Sequence, residues 1–270
     1  IYASQKKLSK IGIQMTYVTP EPETINKFLE EYTFERIEEW FNKLITGFKR
    51  WTDYTFDERH KRTESIRELK FPYEYREGQK NLCVSVYRAI EDNTNLYIQA
   101  PTGVGKTLST VFPAVQALGQ QMADKIFYLT SKTITRTVAE DTYAILRDNG
   151  LHMRTVTLTA KDKICPLDER NCNPVACPYA KGHFDRINDA VYDIITSQMV
   201  IGRDNVMEYA NRHNVCPFEM SLDVSYWCDG IICDYNYVFD PDASLKRYFG
   251  NGAKGDYVFL VDEAHNLVDR

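Results

Sequence analysis

Residues 100–107 combine two glycines, a lysine and a threonine at a spacing that suits phosphate binding. Gly103 and Gly105 allow backbone N–H groups to curl around phosphate oxygens, and a helix that follows directs its positive end at them. Lys106 is expected to reach the β- and γ-phosphates of ATP, and Thr107 to ligate Mg²⁺. The run fits the P-loop with one departure, because alanine stands at the motif's first position. The predicted ATP contacts are Thr102, Gly103, Val104, Gly105, Lys106 and Thr107.

An apolar run typical of a buried strand, Tyr257–Val261, ends in two carboxylates, Asp262 and Glu263. In P-loop enzymes the acidic residue at this strand end holds Mg²⁺ beside the P-loop threonine. Asp262 is expected to take that role, and Glu263 to orient or deprotonate the attacking water. An acidic strand end in solvent is the alternative, and the upstream P-loop argues against it.

The four residues after this strand, Asp262-Glu263-Ala264-His265, resemble motif II of superfamily 2 helicases. The alanine that opens the phosphate loop fits as well, since helicase loops often read A-x-x-G-x-G-K-T. The resemblance implies hydrolysis of ATP coupled to translocation on single-stranded or forked DNA, with Lys106, Asp262 and Glu263 as the catalytic residues. His265 is expected near the γ-phosphate, where it couples the nucleotide to the nucleic-acid groove.

Four of the seven cysteines, which lie between these two motifs, have intervening spacings of six, four and thirty-eight residues. Four thiolates suit tetrahedral Zn²⁺ or a [4Fe–4S] cluster. A zinc ribbon usually has two C-x₂-C knuckles and this chain has none, so the spacing favours the cluster. Structural, buried cysteines are the remaining alternative. The four candidate ligands are Cys165, Cys172, Cys177 and Cys216.

This placement of the cysteines resembles the DinG/XPD-type iron–sulfur helicases. In that family the cluster holds a small domain on the first motor lobe, beside the path of single-stranded DNA. The segment that begins at Cys216 is similar to the family's fourth-ligand signature, Cys-Pro-Phe-Glu. The family tends to follow it with Asp-Tyr-Asn-Tyr, which residues 234–237 match. The other cysteines, at positions 83, 228 and 233, lie in helix or strand patterns and are expected in the core.

Three further sets of residues could contact ligands. Arg76 and Gln79 form an R-x-x-Q pattern that resembles the family's adenine-recognition segment, although an ordinary helix start would also explain it. The strand end after Leu129 offers groups that suit a DNA phosphate or a helix cap. Aromatic side chains in residues 234–237 could stack on bases or pack in the core. The predicted DNA-binding or coupling residues are Thr130, Ser131, Lys132, Tyr235, Asn236 and His265.

The elements that must position these residues alternate between strand and helix. Strands are predicted at residues 96–100, 125–129, 155–158, 230–233 and 257–261, with helices at 105–118 and 134–147. This alternation predicts a parallel, doubly wound α/β sheet, which the resemblance identifies as a RecA-like P-loop lobe. We assign residues 71–161 and 222–270 to the first motor lobe and 162–221 to an inserted Fe–S domain.

Residues 1–70 are expected to form a small extension of helix and strand. A helix end and a strand at 11–18 faintly resemble the close of a RecB-like nuclease domain, whose catalytic carboxylates are not identifiable here. Residues 21–65 have a helical pattern with core-facing aromatic residues. We expect this sequence to be part of a longer chain, with a second motor lobe C-terminal to Arg270 and no unwinding by residues 1–270 alone.

Composition limits the remaining classes of function. Hydrophobic residues make up 43% and charged residues 26%, which is typical of a soluble globular protein. The net charge of −5 excludes a uniformly basic nucleic-acid binder, although a motor can line one groove with cations. No apolar run approaches the roughly 18 residues of a membrane helix, so no membrane partner is expected.

Two alternative functions stay open at the level of the sequence. One is a zinc-stapled module that binds nucleic acid without turnover, and the other is the motor part of a helicase–nuclease. Seven cysteines without a secretory signal favour a reducing compartment, so we expect a cytoplasmic protein, in the bacterial cytosol or associated with the nucleoid.

Overall fold

A computed structural model describes residues 1–20, 22, 24–101, 103–130 and 133–267, without the side chain of Thr133. The chain divides into two compact units, Ile1–His60 and Lys61–Arg270. The domain limits assigned from the sequence stay a prediction.

The first unit is a β-hairpin between helical segments. Helix α1 (Tyr2–Gln5) precedes strands β1 (Lys10–Thr19) and β2 (Thr24–Thr33), which pair antiparallel from Lys10 opposite Thr33 to Thr19 opposite Thr24. Helix α2 (Phe34–Glu68) follows. The prediction of a helical pattern from residue 21 is therefore wrong as far as residue 33. Periodicity over a short window cannot detect the partner strand that selects the extended conformation.

The aromatic residues of α2 are also not where the sequence placed them. Trp40 is 62% and Phe48 64% exposed, and every residue from 41 to 50 is exposed in this structure. The prediction that they form core is wrong for the described residues. An apolar stripe identifies the face of a helix that is suited to burial against another apolar surface. It does not show that this surface belongs to the same unit.

The second unit is built on a five-stranded sheet whose order is β5-β4-β6-β3-β7, with all pairs parallel. The strands are β3 (Lys125–Leu129), β4 (Thr155–Thr157), β5 (Val200–Ile201), β6 (Gly230–Cys233) and β7 (Tyr257–Val261). The central strand β6 and residues 126–129 of β3 are continuous apolar runs, as is typical of a parallel sheet covered on both faces. The fold class predicted from the sequence is confirmed.

Helices cover this sheet. They are α3 (Gln79–Glu91), α4 (Lys106–Gly119), α5 (Thr133–Asp148), α6 (Lys161–Ile164), α7 (His183–Ser197), α8 (Arg203–His213), α9 (Pro217–Ser225), α10 (Asn236–Phe239) and α11 (Lys246–Phe249). Fully buried residues of α4, β3 and α5 form one core, with Val111, Leu118, Ile126 and Leu146 at its centre. This core fixes the helix that follows the phosphate loop against the sheet.

The strand predicted at residues 96–100 is absent from the part of the chain that the structure describes. Leu96, Tyr97 and Ile98 are exposed by 42%, 90% and 39%. A strand exists only where it pairs with a neighbour, and residues 96–100 pair with neither outer strand of the sheet, β5 or β7. Apolar composition predicted the extended backbone without being able to provide that partner.

The last turns of α2 belong to the second unit. Ile66 is 1% exposed and packs so closely on Gly119 of α4 that a β-carbon there would lie 2.4 Å from the Ile66 side chain. Arg62 forms an ion pair with Asp229, and Ser65 Oγ accepts the backbone N–H of His152 at 2.9 Å. These contacts attach residues 61–69 to the sheet.

We expect Ile66→Ala to lower the free energy of unfolding by about 2–5 kcal/mol, because it removes a buried side chain and leaves a cavity. Urea denaturation of residues 1–270 measures it. Ile45→Ala, on the exposed part of the same helix (47% exposed), is the control and should change stability by at most about 0.5 kcal/mol. Equal effects of the two substitutions would contradict the packing described here.

Candidate functional site

The phosphate loop ends in a backbone conformation that only glycine adopts readily. Gly103 has φ +87° and Gly105 has φ +75°, both in the left-handed region. Gly105 caps α4, which begins at Lys106, so the free N–H groups of the first helical turn point into the loop. A helix start of this kind suits phosphate oxygens, and the binding of phosphate by these residues stays a prediction.

The acidic pair lies beside this loop. Asp262 directly follows β7, and its backbone N–H donates to the carbonyl of Leu129 at the end of β3, at 3.0 Å. Burial raises the pKa of Asp262 above the ordinary carboxyl value and the charge of Glu263 adds to this, whereas Tyr128 and the charge of Lys106 oppose it. Lys106 is thus close enough to Asp262 to act on it electrostatically, although its Nζ also donates to the carbonyl of Ala100 at 3.0 Å.

Tyr128 links the two halves of the site and was missed by the sequence analysis. Its ring is 2% exposed in β3. Burial and the charge of Asp262 raise the pKa of Tyr128 far above its usual value, and Thr107 opposes this. The two predicted Mg²⁺ ligands therefore both lie close enough to one buried hydroxyl to act on it. The only signal in the sequence was a tyrosine inside an apolar strand, where its hydroxyl needs a partner.

The predicted adenine-recognition pair also lies against the phosphate loop. Arg76 donates to the carbonyl of Gly103, and Gln79 is 6% exposed. The Gln79 amide accepts the backbone N–H of Arg76 at 3.0 Å and donates to the carbonyl of Val104 at 3.3 Å. Both polar ends of this side chain thus hold protein backbone, which connects the R-x-x-Q segment to the loop. Its role as a reader of adenine stays a prediction.

Tyr235 and Thr130 do not present their side chains as the sequence analysis suggested. The Tyr235 ring is 1% exposed, so it cannot stack on a base in this structure. Its hydroxyl donates instead to the backbone carbonyls of Asp262 and, at 3.2 Å, Glu263. Thr130 is also 1% exposed, and its hydroxyl hydrogen-bonds with that of Thr135 rather than facing a DNA phosphate.

The remaining predicted residues divide by position. Asn236 is exposed at the start of α10, and His265 is exposed in a short 3₁₀ helix, Ala264–Leu267, with its ring 3.5 Å from the Glu263 carboxylate. The calls for Thr102, Ser131 and Lys132 lie outside the described residues.

A cation-lined groove opens beside Asn236. It encloses about 670 Å³, and five of its lining residues are basic: Arg136, Lys161, Lys163, Lys246 and Arg247. Phe218, Asn236 and Asp242 also line it. Arg247 is partly neutralised, since it pairs with Asp223 at 2.9 Å. The groove concentrates positive charge locally although the whole chain is acidic, which the net charge alone could not reveal.

The four predicted cluster ligands are not gathered into one coordination sphere. Among the residues that the structure describes, no three His, Cys, Asp or Glu side chains are arranged to hold a metal ion. Cys172 is exposed and Cys177 buried, and Cys165 and Cys216 are intermediate. The prediction that these thiols converge is therefore not met by this conformation, in which an irregular loop from residue 165 to 182 carries three of them.

Two of these cysteines nevertheless lie near one cation. Burial disfavours the ammonium form of Lys161, but a hydrogen bond to Cys172 and the nearby Glu219 and Cys216 raise its pKa overall. Burial also raises the pKa of Cys216, against the effect of backbone N–H groups of α9.

The start of α7 holds the segment that carries Cys216. Arg186 donates through Nη2 to the carbonyls of Lys181 and Asn214, each at 2.7 Å. His183, 6% exposed, accepts the backbone N–H of Cys216 on Nδ1 at 3.3 Å. Sequence reasoning had no signal for either residue, because both act on backbone atoms about thirty residues away.

No helix in the described part of the chain is long and apolar enough to cross a membrane.

Comparison with protein families gives two matches. The DEAD_2 family matches residues 133–270, just over half of the chain, and the DEAD/DEAH box helicase family matches residues 78–171. Both matches begin after residue 77, so the faint nuclease resemblance of the N-terminal segment stays a prediction.

Curated relatives agree with these matches. The chain is 22% identical over 255 residues to a regulator of telomere elongation helicase 1 homolog of Anopheles gambiae, covering 74% of this chain and 25% of that protein. It is 27% identical over 204 residues to a probable ATP-dependent helicase of Methanocaldococcus jannaschii, covering 73% and 29%. The chain therefore spans less than a third of the length of these relatives.

A solved structure shares the fold. The structure described as XPD helicase aligns with a TM-score of 0.50 and 20% identity, over 71% of this chain and 33% of that one. This likeness supports the RecA-like lobe that the sequence resemblance implied. The chain belongs to the DEAD_2 family.

Proposed function

We propose that this chain is the first motor lobe of an ATP-dependent DNA helicase that translocates on single-stranded DNA. The observation that carries the proposal is that β7 pairs with β3, against which α4 packs, and that the Asp262 N–H donates to the Leu129 carbonyl at 3.0 Å. This packing brings the phosphate loop and the acidic box (Asp262–His265), which are far apart in sequence, to the end of the parallel sheet where the strands have their carboxyl ends. Ligands of open α/β sheets bind at this edge, beyond the carboxyl ends of the strands.

The proposed reaction assigns one task to each side chain. Lys106 and the N–H groups that begin α4 bind the β- and γ-phosphates, and Glu263 orients the attacking water and accepts its proton. Thr107 and Asp262 would hold Mg²⁺, and their oxygen donors suit that ion. Held by these residues, Mg²⁺ would neutralise charge on the phosphate oxygens.

The groove is the proposed path of single-stranded DNA. Its basic residues suit a phosphate backbone, and the Phe218 ring offers a surface for stacking. Lys161 lies over the Phe218 ring, 5.4 Å from its centroid. The groove runs between elements that follow β4 and β6, so it lies at the same sheet edge as the nucleotide site. Nearness of the two sites is what coupling of hydrolysis to movement on DNA requires.

We further propose that Cys165, Cys172, Cys177 and Cys216 bind a [4Fe–4S] cluster. The donor set fits, because all four are free thiols and Lys161 beside two of them would offset the negative charge of a thiolate cluster. Their separation in this structure means that the loop of residues 165–182 must close for the site to form. The cluster would supply a rigid cross-link between that loop and the Cys216 segment.

Unwinding would require the second motor lobe that we expect C-terminal to Arg270. The chain spans a quarter of the Anopheles gambiae relative, which leaves room for such a lobe in proteins of this family. The two-lobe protein is therefore the form in which hydrolysis and DNA movement are to be measured.

In the two-lobe protein, Glu263→Gln should lower kcat for DNA-stimulated ATP hydrolysis by about 10²–10⁴-fold, because the amide cannot accept the proton of water. ATP binding, measured with a fluorescent analogue, should be retained. Asp256→Asn, just before the other end of β7 and exposed, is the matched control and should keep its activity. Unchanged hydrolysis in Glu263→Gln would overturn the proposed catalytic role.

Lys246→Ala should weaken binding of single-stranded DNA and reduce the slope of log affinity against log salt by about 0.7–1, the value for one lost phosphate contact. Fluorescence anisotropy over a series of salt concentrations measures it. Lys254→Ala, an exposed lysine outside the groove, is the control and should leave the slope unchanged. The same slope for both variants would place the DNA elsewhere.

Anaerobically purified protein should contain about four irons and four sulfides per chain and absorb visible light. Cys177→Ser should lose this content, since a cluster ligand is removed, whereas Cys83→Ser in α3 should keep it. Iron and sulfide analysis with a visible spectrum makes the measurement. One zinc per chain without colour, or no metal at all, would exclude the cluster and leave the motor assignment in place.

A further inference from the structure

We propose that Tyr235 is a positioning residue that transmits occupancy of the cation-lined groove to the catalytic carboxylates. The inference rests on the proposed function of both sites. The inference goes beyond the proposed function because it assigns the connection between the groove and the catalytic carboxylates to one buried hydroxyl.

Hydrogen bonds join the carboxyl ends of three adjacent strands. At the end of β3, the Thr130 N–H donates to the carbonyl of Cys233 in β6, and the Leu129 carbonyl accepts the Asp262 N–H after β7, both at 3.0 Å. Tyr235 follows β6, and its hydroxyl reaches across the end of β3 to the carbonyls of Asp262 and Glu263. The side chain therefore extends from the end of β6, across the end of β3, to Asp262 and Glu263 after β7.

The groove side of this connection consists of the two chain neighbours of Tyr235. Asp234 and Asn236 both line the groove, and the Asn236 N–H donates to the Asp234 carboxylate at 3.0 Å. Tyr235 lies between them with a ring that is 1% exposed. Because a buried aromatic ring fills its space and bends little, a shift of this backbone moves the hydroxyl with it. A DNA strand that contacts Asn236 can thus displace the far end of the Tyr235 side chain.

The hydrolysis side of the connection holds a backbone that is costly to maintain. Glu263 has φ +52°, which is uncommon for a residue other than glycine, asparagine or aspartate. Such conformations persist where surrounding contacts determine them, and they cluster at functional sites. The Tyr235 hydroxyl donates to the carbonyls of the two peptide groups that flank the Glu263 α-carbon. Its position therefore affects the direction in which the Glu263 carboxylate points.

Tyr237, two residues later, shows that this contact is specific. It is also buried, but its hydroxyl donates to the carbonyl of Thr159 at 3.3 Å, after β4 and away from the acidic box. The two tyrosines of the segment thus bind different strand ends, and the contact to the catalytic segment comes from Tyr235.

The experiment is ATP hydrolysis by the two-lobe protein with and without single-stranded DNA, in wild type and Tyr235→Phe. The phenylalanine keeps the ring and removes the hydroxyl. We expect the stimulation by DNA to fall about tenfold through kcat, which corresponds to about 1.4 kcal/mol, with KM for ATP changed less than about twofold. A loss of packing alone would not change the ratio of stimulated to unstimulated rate in this selective way.

Tyr248→Phe is the matched control. This tyrosine is 3% exposed and its hydroxyl bonds Ser225 at 2.8 Å, remote from the acidic box in the hydrogen-bond pattern. It should keep the wild-type stimulation ratio.

Asn236→Ala provides an independent variant, because this exposed side chain can be removed without disturbing the core. It should also reduce the stimulation ratio, and the double variant with Tyr235→Phe should lose less than the product of the two single effects, since both act on one connection. An unchanged ratio in either single variant overturns the proposal. If DNA did not stimulate ATP hydrolysis by the wild-type protein, the proposed function itself would be contradicted.

Discussion

The site depends on the fact that all strands of a parallel sheet end at the same edge. At that edge, strand-end N–H and C=O groups that the sheet leaves unpaired need partners. Thr130 and Asp262 donate to the last carbonyls of the neighbouring strands, so the ends of β6, β3 and β7 are joined into one frame. Helix α4, which follows the phosphate loop, packs on this frame through a core that it shares with β3. Leu129 and Asp262, 133 positions apart in sequence, are thereby joined by a hydrogen bond of 3.0 Å.

The same frame buries charge, which must be compensated. Removing a carboxylate from water is unfavourable unless hydrogen bonds or opposite charges replace the solvent. Burial raises the pKa of Asp262, and the Tyr128 hydroxyl and Lys106 oppose that effect. A divalent cation bound at this carboxylate would offset the lost hydration. The burial that disfavours the ionised Asp262 carboxylate on its own is thus compatible with a bound complex of nucleotide and metal ion.

Sequence patterns located the strands Lys125–Leu129, Gly230–Cys233 and Tyr257–Val261 correctly, because a doubly covered parallel strand is a continuous apolar run. They also located the glycines of the phosphate loop, whose φ values no other residue adopts readily. They failed for β2 and for residues 96–100, because a strand depends on a partner that local sequence does not show. Tyr128 and Tyr235 were missed or misassigned for a related reason. What they do is decided by hydrogen bonds to atoms on other strands, and the type of residue does not specify these.

The cysteine-bearing region separates what the fold fixes from what a bound cluster would have to fix. Arg186 bonds the carbonyls of Lys181 and Asn214, and His183 accepts the N–H of Cys216. These bonds hold the fourth cysteine against the helix that follows the third, although 38 residues separate Cys177 from Cys216 in sequence. Cys172, by contrast, is exposed on an irregular loop. Binding of a cluster by the thiolates would therefore mainly fix the conformation of that loop, because metal binding is coupled to folding of the segment that carries the ligands.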